Sequence, residues 1–145
     1  MFSWVALRLV GRTMASLRAG DYRPALRLYA DDIVFRFPGD SSWAGEYNGK
    51  QEVEAWMQRF VEAGLQSFPD EAVVKGPPWR MTLCVRGHIY LRSPEGETVY
   101  ENRYVIWGRM AWGRLVEEEL YEDTLRTEAL DQYQASRGST AASPS

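Results

Sequence analysis

The stretch Ile33-Val34-Phe35-Arg36-Phe37-Pro38-Gly39-Asp40-Ser41-Ser42-Trp43-Ala44-Gly45-Glu46-Tyr47-Asn48-Gly49-Lys50-Gln51-Glu52 decides how the rest of the chain is read. Side chains alternate across a strand, which sets Ile33, Phe35 and Phe37 on one face and Val34 and Arg36 on the other. Pro38-Gly39 stops the strand, a loop carrying Trp43 follows, and a helix begins near Asn48 and Gly49. Trp43 on the loop and Trp56 on the helix are then placed to close over the aromatic face. The stretch reads as one wall of an apolar pocket.

Downstream, Asn48 followed by Gln51 forms a capping box for a helix over 49–63. Its apolar stripe is Val53, Trp56, Met57 and Phe60, ended by Gly64. That stripe suits core packing as well as ligand contact. Upstream, Trp4, Leu7, Val10, Met14 and Leu17 recur at helical spacing over 3–19, with Arg8, Arg12 and Arg18 mainly outside. Gly20 breaks this helix, and Asp21 caps a short second one that tolerates Pro24 and runs to Asp31-Asp32.

Beyond residue 70 the pattern changes from helical to alternating. Strands are expected over 71–75, 79–92, 99–110 and 115–124, with turns at Gly76-Pro77-Pro78, 93–97 and 111–114. In the second of these, Leu83, Val85, Ile89 and Leu91 point one way and Cys84, Arg86, His88 and Tyr90 the other. A terminal helix fits 125–135. The single domain is read as 1–135, with 136–145 a small, polar, disordered tail. Helices laid on one face of a long-stranded antiparallel meander give an α+β fold.

Composition narrows the class. The 145 residues include six Trp, eight Tyr and five Phe, a load suited to a lined cavity or an extensive interface, though core packing alone uses such residues too. A net charge of −3 gives no electrostatic footprint for nucleic acid. The single cysteine, Cys84, excludes an internal disulfide framework, and no His/Cys spacing suits a metal. Met1–Val10 lacks the basic start and cleavage site of a leader, and no apolar run approaches the roughly 20 residues that cross a bilayer. A cytoplasmic protein with no membrane or nucleic-acid partner and no cofactor is the expectation.

Five short stretches carry a resemblance: Leu17-Arg18-Ala19-Gly20-Asp21, Leu28 to Phe35, Trp43 to Lys50, Tyr100 to Tyr104 and Leu120 to Thr124. In this order they resemble the NTF2-like superfamily and, within it, the SnoaL-like (polyketide cyclase-like) group. The resemblance implies a cone: three N-terminal helices packed on a strongly curved, mostly antiparallel sheet enclosing a pocket, often in a homodimer formed through the sheet. In ketosteroid isomerases of this superfamily the general base falls near Phe37 and the oxyanion tyrosine near Thr13. In limonene-type epoxide hydrolases a carboxylate falls at Leu120. This chain lacks all three groups, and a positioned acid or base supplies about 10² to 10⁴ in rate, so neither reaction is expected.

The usual geometry of the family turns residues 118, 120 and 122 into the cavity, which makes Glu118 the leading acid/base candidate and Leu120 a lining residue. Among Phe35, Phe37 and Trp56 its carboxyl would resist ionisation. The bland alternative pairs Glu118 with Arg103 on a neighbouring strand. Asn102 and Tyr104 match the family's Asn-x-Tyr element and are candidate hydrogen-bonding partners. Asp123, with Tyr121, matches the Tyr-x-Asp-Thr signature, and it suits a helix cap equally. His88 is the only histidine, the side-chain type suited to proton exchange near neutrality, but it shares the more polar strand face. The expected ligand is a small hydrophobic molecule held by Phe35, Phe37, Trp43, Trp56, Phe60 and Leu120. It would undergo cofactor-free proton transfer; the alternative is a non-catalytic homodimeric ligand-carrier or interaction module.

Overall fold

A six-stranded sheet in the order β2-β1-β6-β5-β4-β3 forms the body of the protein. The computed structural model describes the backbone of residues 2–141 and the side chains of residues 4–137. The strands are β1 (Tyr29–Phe37), β2 (Gly45–Asn48), β3 (Gln66–Lys75), β4 (Met81–Arg92), β5 (Thr98–Ala111) and β6 (Arg114–Glu122). Helices α1 (Phe2–Arg18), α2 (Arg23–Leu26) and α3 (Lys50–Glu62) precede the meander, and α4 (Thr124–Ala141) follows it. Every strand pair is antiparallel except β1 with β6, which run parallel with Phe35 opposite Glu118. The architecture is α+β, with a curved, open, mostly antiparallel sheet.

Alternation places the core where the sequence put it. Ile33, Phe35 and Phe37 are buried while Arg36 is exposed. Leu83, Val85, Ile89 and Leu91 are likewise buried on β4, with Arg86 and His88 exposed on the opposite face. Alternation puts position 87 on the same buried face, and only glycine fits there: a Cβ would meet the Phe68 carbonyl at 2.3 Å. Among the described residues no helix is long and apolar enough to cross a membrane.

Several boundaries differ from expectation for local reasons. The second helix stops at Leu26, and β1 begins already at Tyr29, which pairs with Leu115 of β6 before the register shifts ahead of Val34. Gly45–Asn48 form an extra short strand on β1. The Asn48/Gln51 capping box does not form. Gly49, at φ 89°, is the N-cap, and the Glu52 carboxylate accepts the Asn48 N–H at 2.9 Å. Tyr22, not Asp21, is the N-cap of α2 and makes no side-chain cap; Asp21, one residue earlier, accepts the Arg23 N–H at 3.1 Å. Trp4 leaves the buried stripe of α1 and is 65% exposed. The strand expected at 71–75 begins at Gln66, and Trp79-Arg80 belong to the preceding turn. α4 extends through Ala141, into the segment expected to be a disordered tail; residues 142–145 lie outside the described residues.

Candidate functional site

Curvature of the sheet under α1, α3 and α4 leaves a cavity of about 130 Å³. Its apolar wall comes from the inner face of α1 (Val10, Met14, Leu17), from Phe35 and Phe37 on β1, and from Trp56, Met57 and Phe60 on α3. All six expected ligand-contact residues, Phe35, Phe37, Trp43, Trp56, Phe60 and Leu120, border it. Trp56 organises the aromatic part, meeting Phe35 edge-on at 4.9 Å, Trp43 edge-on at 5.8 Å and Phe60 stacked at 5.6 Å. Such pairs contribute about 0.5–1.5 kcal/mol each beyond area burial.

β6 supplies the polar groups. Period-2 alternation sends Glu118, Leu120 and Glu122 to the cavity side of the strand, where all three border it. Glu118 is buried and its carboxylate accepts a short hydrogen bond from the Tyr29 hydroxyl. Burial raises the Glu118 carboxyl to about 7, against a partial lowering by that bond. Tyr29 is pushed well above its ordinary value by burial and by the neighbouring carboxylate, so the shared proton stays on the phenol. Glu122 accepts from Thr127 Oγ1 at 3.2 Å and from the Tyr100 hydroxyl at 3.5 Å, and burial likewise raises it to about 7. No lysine, arginine or histidine borders the cavity among the described residues. Two carboxyls therefore titrate near neutrality inside an apolar wall with only neutral donors beside them.

The other candidates are dispersed. Tyr104 borders the cavity, takes a hydrogen bond from Ser67 at 2.9 Å and is raised to about 12 by burial. Asn102 is buried, but its amide is engaged by the Tyr100 hydroxyl at 2.9 Å and the Asp123 carbonyl at 3.0 Å and does not reach the cavity. Asp123 is exposed and caps α4 through the Leu125 N–H at 3.1 Å. His88 lies on the outer face, stacked on Phe68 and 3.0 Å from Asp70, because β4 alternation points it away from the cavity. Asn102, His88 and Asp123 border a separate shallow groove between β4, β5 and the start of α4. These three therefore lie away from the cavity, whereas Tyr29 and Glu122 border it with Glu118. The Arg103 alternative also fails, since Arg103 pairs with His88 on the outer face while Glu118 lies opposite Gly108. Thr13 spends its hydroxyl on the Leu9 carbonyl at 2.9 Å.

The family model for the SnoaL-like domain matches residues 10–118. The chain belongs to the SnoaL-like domain family. This SnoaL-like chain is similar in structure to an NTF2-like protein of unknown function from Burkholderia pseudomallei K96243. The two are 22% identical with a TM-score of 0.69, over 86% of this chain and 95% of the other. A protein from Jannaschia sp. CCS1 described as a SnoaL-like polyketide cyclase is 16% identical, with TM-score 0.63 and coverage of 98% and 95%. TerC, co-crystallised with polyporic acid, is 18% identical, with TM-score 0.70 and coverage of 86% and 96%. At these identities the likeness is one of fold. A comparison with curated proteins finds no significant match.

Proposed function

We propose that this SnoaL-like protein binds a small, largely apolar molecule in the cavity and performs cofactor-free proton transfer on it, with Glu118 as acid/base. One observation carries the reading: a buried carboxyl, raised to about 7 by burial, stands in an apolar cavity with a phenol and no cation beside it. A group that titrates near the working pH exchanges protons in both directions, and positioned general acid/base catalysis adds about 10² to 10⁴ in rate. Tyr29 stays protonated and donates, which holds the carboxylate in one rotamer and steadies its ionised form. Thr13 and Ser67 also border the wall but donate their hydroxyls to the Leu9 carbonyl and to Tyr104, which leaves Tyr104, Tyr100 and Thr127 suited to orienting a ligand oxygen. Isomerase, cyclase and dehydratase steps all begin with such a transfer.

A panel of apolar enolisable ketones, followed by proton NMR in D₂O, tests the proposal. Solvent deuterium is expected to enter the position next to the carbonyl in the presence of the protein and not of Glu118→Gln. Equal exchange by the variant would remove Glu118 from the mechanism. A non-catalytic carrier is the second reading, favoured by the fact that Glu118 already has its partner in Tyr29. It predicts ligand binding without exchange in either protein.

A further inference from the structure

Two turns at one end of the sheet, far in sequence from the cavity residues on β1 and α3, carry an unabsorbed set of side chains. The first is Lys75-Gly76-Pro77-Pro78-Trp79-Arg80 between β3 and β4; the second is Ala111-Trp112-Gly113-Arg114 between β5 and β6. They are joined by a hydrogen bond from Trp112 N–H to the Pro78 carbonyl at 2.8 Å, and the two indoles pack against each other at 6.2 Å. Trp79 is 60% exposed and Trp112 73% exposed. Lys75, Arg80 and Arg114 are exposed as well, and none has a carboxylate partner among the described residues. The sequence contains no acidic residue from 72 to 94 or from 102 to 116, in a chain whose net charge is −3.

The backbone at Trp112 adds an independent observation. Trp112 has φ 54° and Gly113 φ 80°, the pattern of a two-residue hairpin turn with both central residues left-handed. Asn-Gly is the sequence such a turn favours, and a bulky residue there is an outlier. Folding alone would choose Asn at 112. An exposed tryptophan held there against local preference calls for a role outside the fold.

We propose that this tip is a docking surface for an anionic phospholipid bilayer, with Trp79 and Trp112 entering the headgroup region and Lys75, Arg80 and Arg114 facing the lipid phosphates. Indole prefers the bilayer interface, where its ring is buried and its N–H stays hydrated. Each basic side chain near an anionic surface contributes roughly a fivefold factor in affinity. Pro77 and Pro78 fix their own φ angles and the Arg80 N–H bonds to the Pro77 carbonyl at 3.0 Å, so the tip docks with little loop ordering. A second copy of the chain fits less well, because two-fold pairing through this patch sets like charges against each other.

Sedimentation with vesicles at low salt tests the surface, using phosphatidylcholine alone and phosphatidylcholine with about one third phosphatidylserine. The full chain is expected to sediment with the anionic vesicles only, and to be released by high salt. Arg80→Glu with Arg114→Glu is expected to weaken binding by at least about 25-fold. Trp79→Ser with Trp112→Asn is expected to weaken it at least about tenfold. Asn suits the turn at 112, so the thermal midpoint of that variant stays within a few degrees of the parent, and its vesicle loss is not a folding loss. Failure of the parent to bind anionic vesicles at low salt, or equal binding by the variants, would overturn the proposal. So would a patch-dependent dimer in solution, or patch-dependent RNA binding, without vesicle binding.

Discussion

Replacing Glu118 by Gln isolates the electrostatic cost of the buried carboxyl. In the unfolded chain the group ionises at its ordinary value of 4.5, while in the folded protein burial holds its proton to about 7. Between those two values the folded state binds more protons than the unfolded state, so stability falls as pH rises through the window and levels off above it. At about 1.4 kcal/mol per pH unit, the group accounts for a loss of about 3 kcal/mol from pH 4 to pH 8. Gln is nearly isosteric with the protonated acid and keeps an oxygen for Tyr29, so Glu118→Gln is expected to be close to neutral at pH 4. The variant should exceed the parent by about 3 kcal/mol at pH 8. Urea unfolding at pH 4, 5, 6, 7 and 8, extrapolated linearly, measures both curves. Glu122 shifts in the same direction and remains in both proteins, so its contribution cancels in the difference. Parallel curves would refute the claim that Glu118 is held protonated by burial.

Tyr29→Phe removes the donor to Glu118 and leaves a buried carboxyl unpaired, at a cost of about 1–3 kcal/mol. Because that bond lowers the Glu118 value, its loss moves the pH-dependent arm of the stability curve to higher pH. Trp56→Ala, which empties the centre of the aromatic cluster, is expected to cost about 3–5 kcal/mol in denaturant unfolding. Gly87→Ala forces a methyl against the Phe68 carbonyl and the Tyr104 hydroxyl, 2.3 and 2.5 Å away, and is expected to cost roughly 3 kcal/mol or more. A thermal midpoint within 2 °C of the parent, against an expected drop of about 10 °C, would contradict that packing.

The parts of the fold legible in the sequence are those governed by period. Alternation at Phe35/Phe37 and along β4 sorted inside from outside before any strand had a neighbour. What alternation does not encode is adjacency. Tyr29 meets Glu118 across a parallel pair between distant strands, and nothing at 29 reveals that partner; its sequence neighbours Ala30-Asp31-Asp32 even argue against a strand. β2 is hidden for a similar reason: Gly45-Glu46-Tyr47-Asn48 has little strand propensity and exists because β1 offers it an edge. Glu122 was within reach, since it shares the parity of Glu118 and Leu120. Its lift to about 7 depends on burial beside α4, which no local pattern reports.

The parallel seam between β1 and β6 also sets an order of events during synthesis. The two strands at its edges are separated by the whole meander, and contacts of such sequence separation are slow to form. Until Arg114–Glu122 have emerged from the ribosome, the β1–β2 hairpin lacks the strand that joins it to the rest of the sheet. Tyr29 and Glu118 come together at the same moment the two halves of the sheet are sewn into one. Because Tyr29 and Glu118 stand on opposite sides of that seam, and Thr127 and Leu130 of α4 close the same cavity, the site is complete only once the chain beyond β6 has joined the sheet.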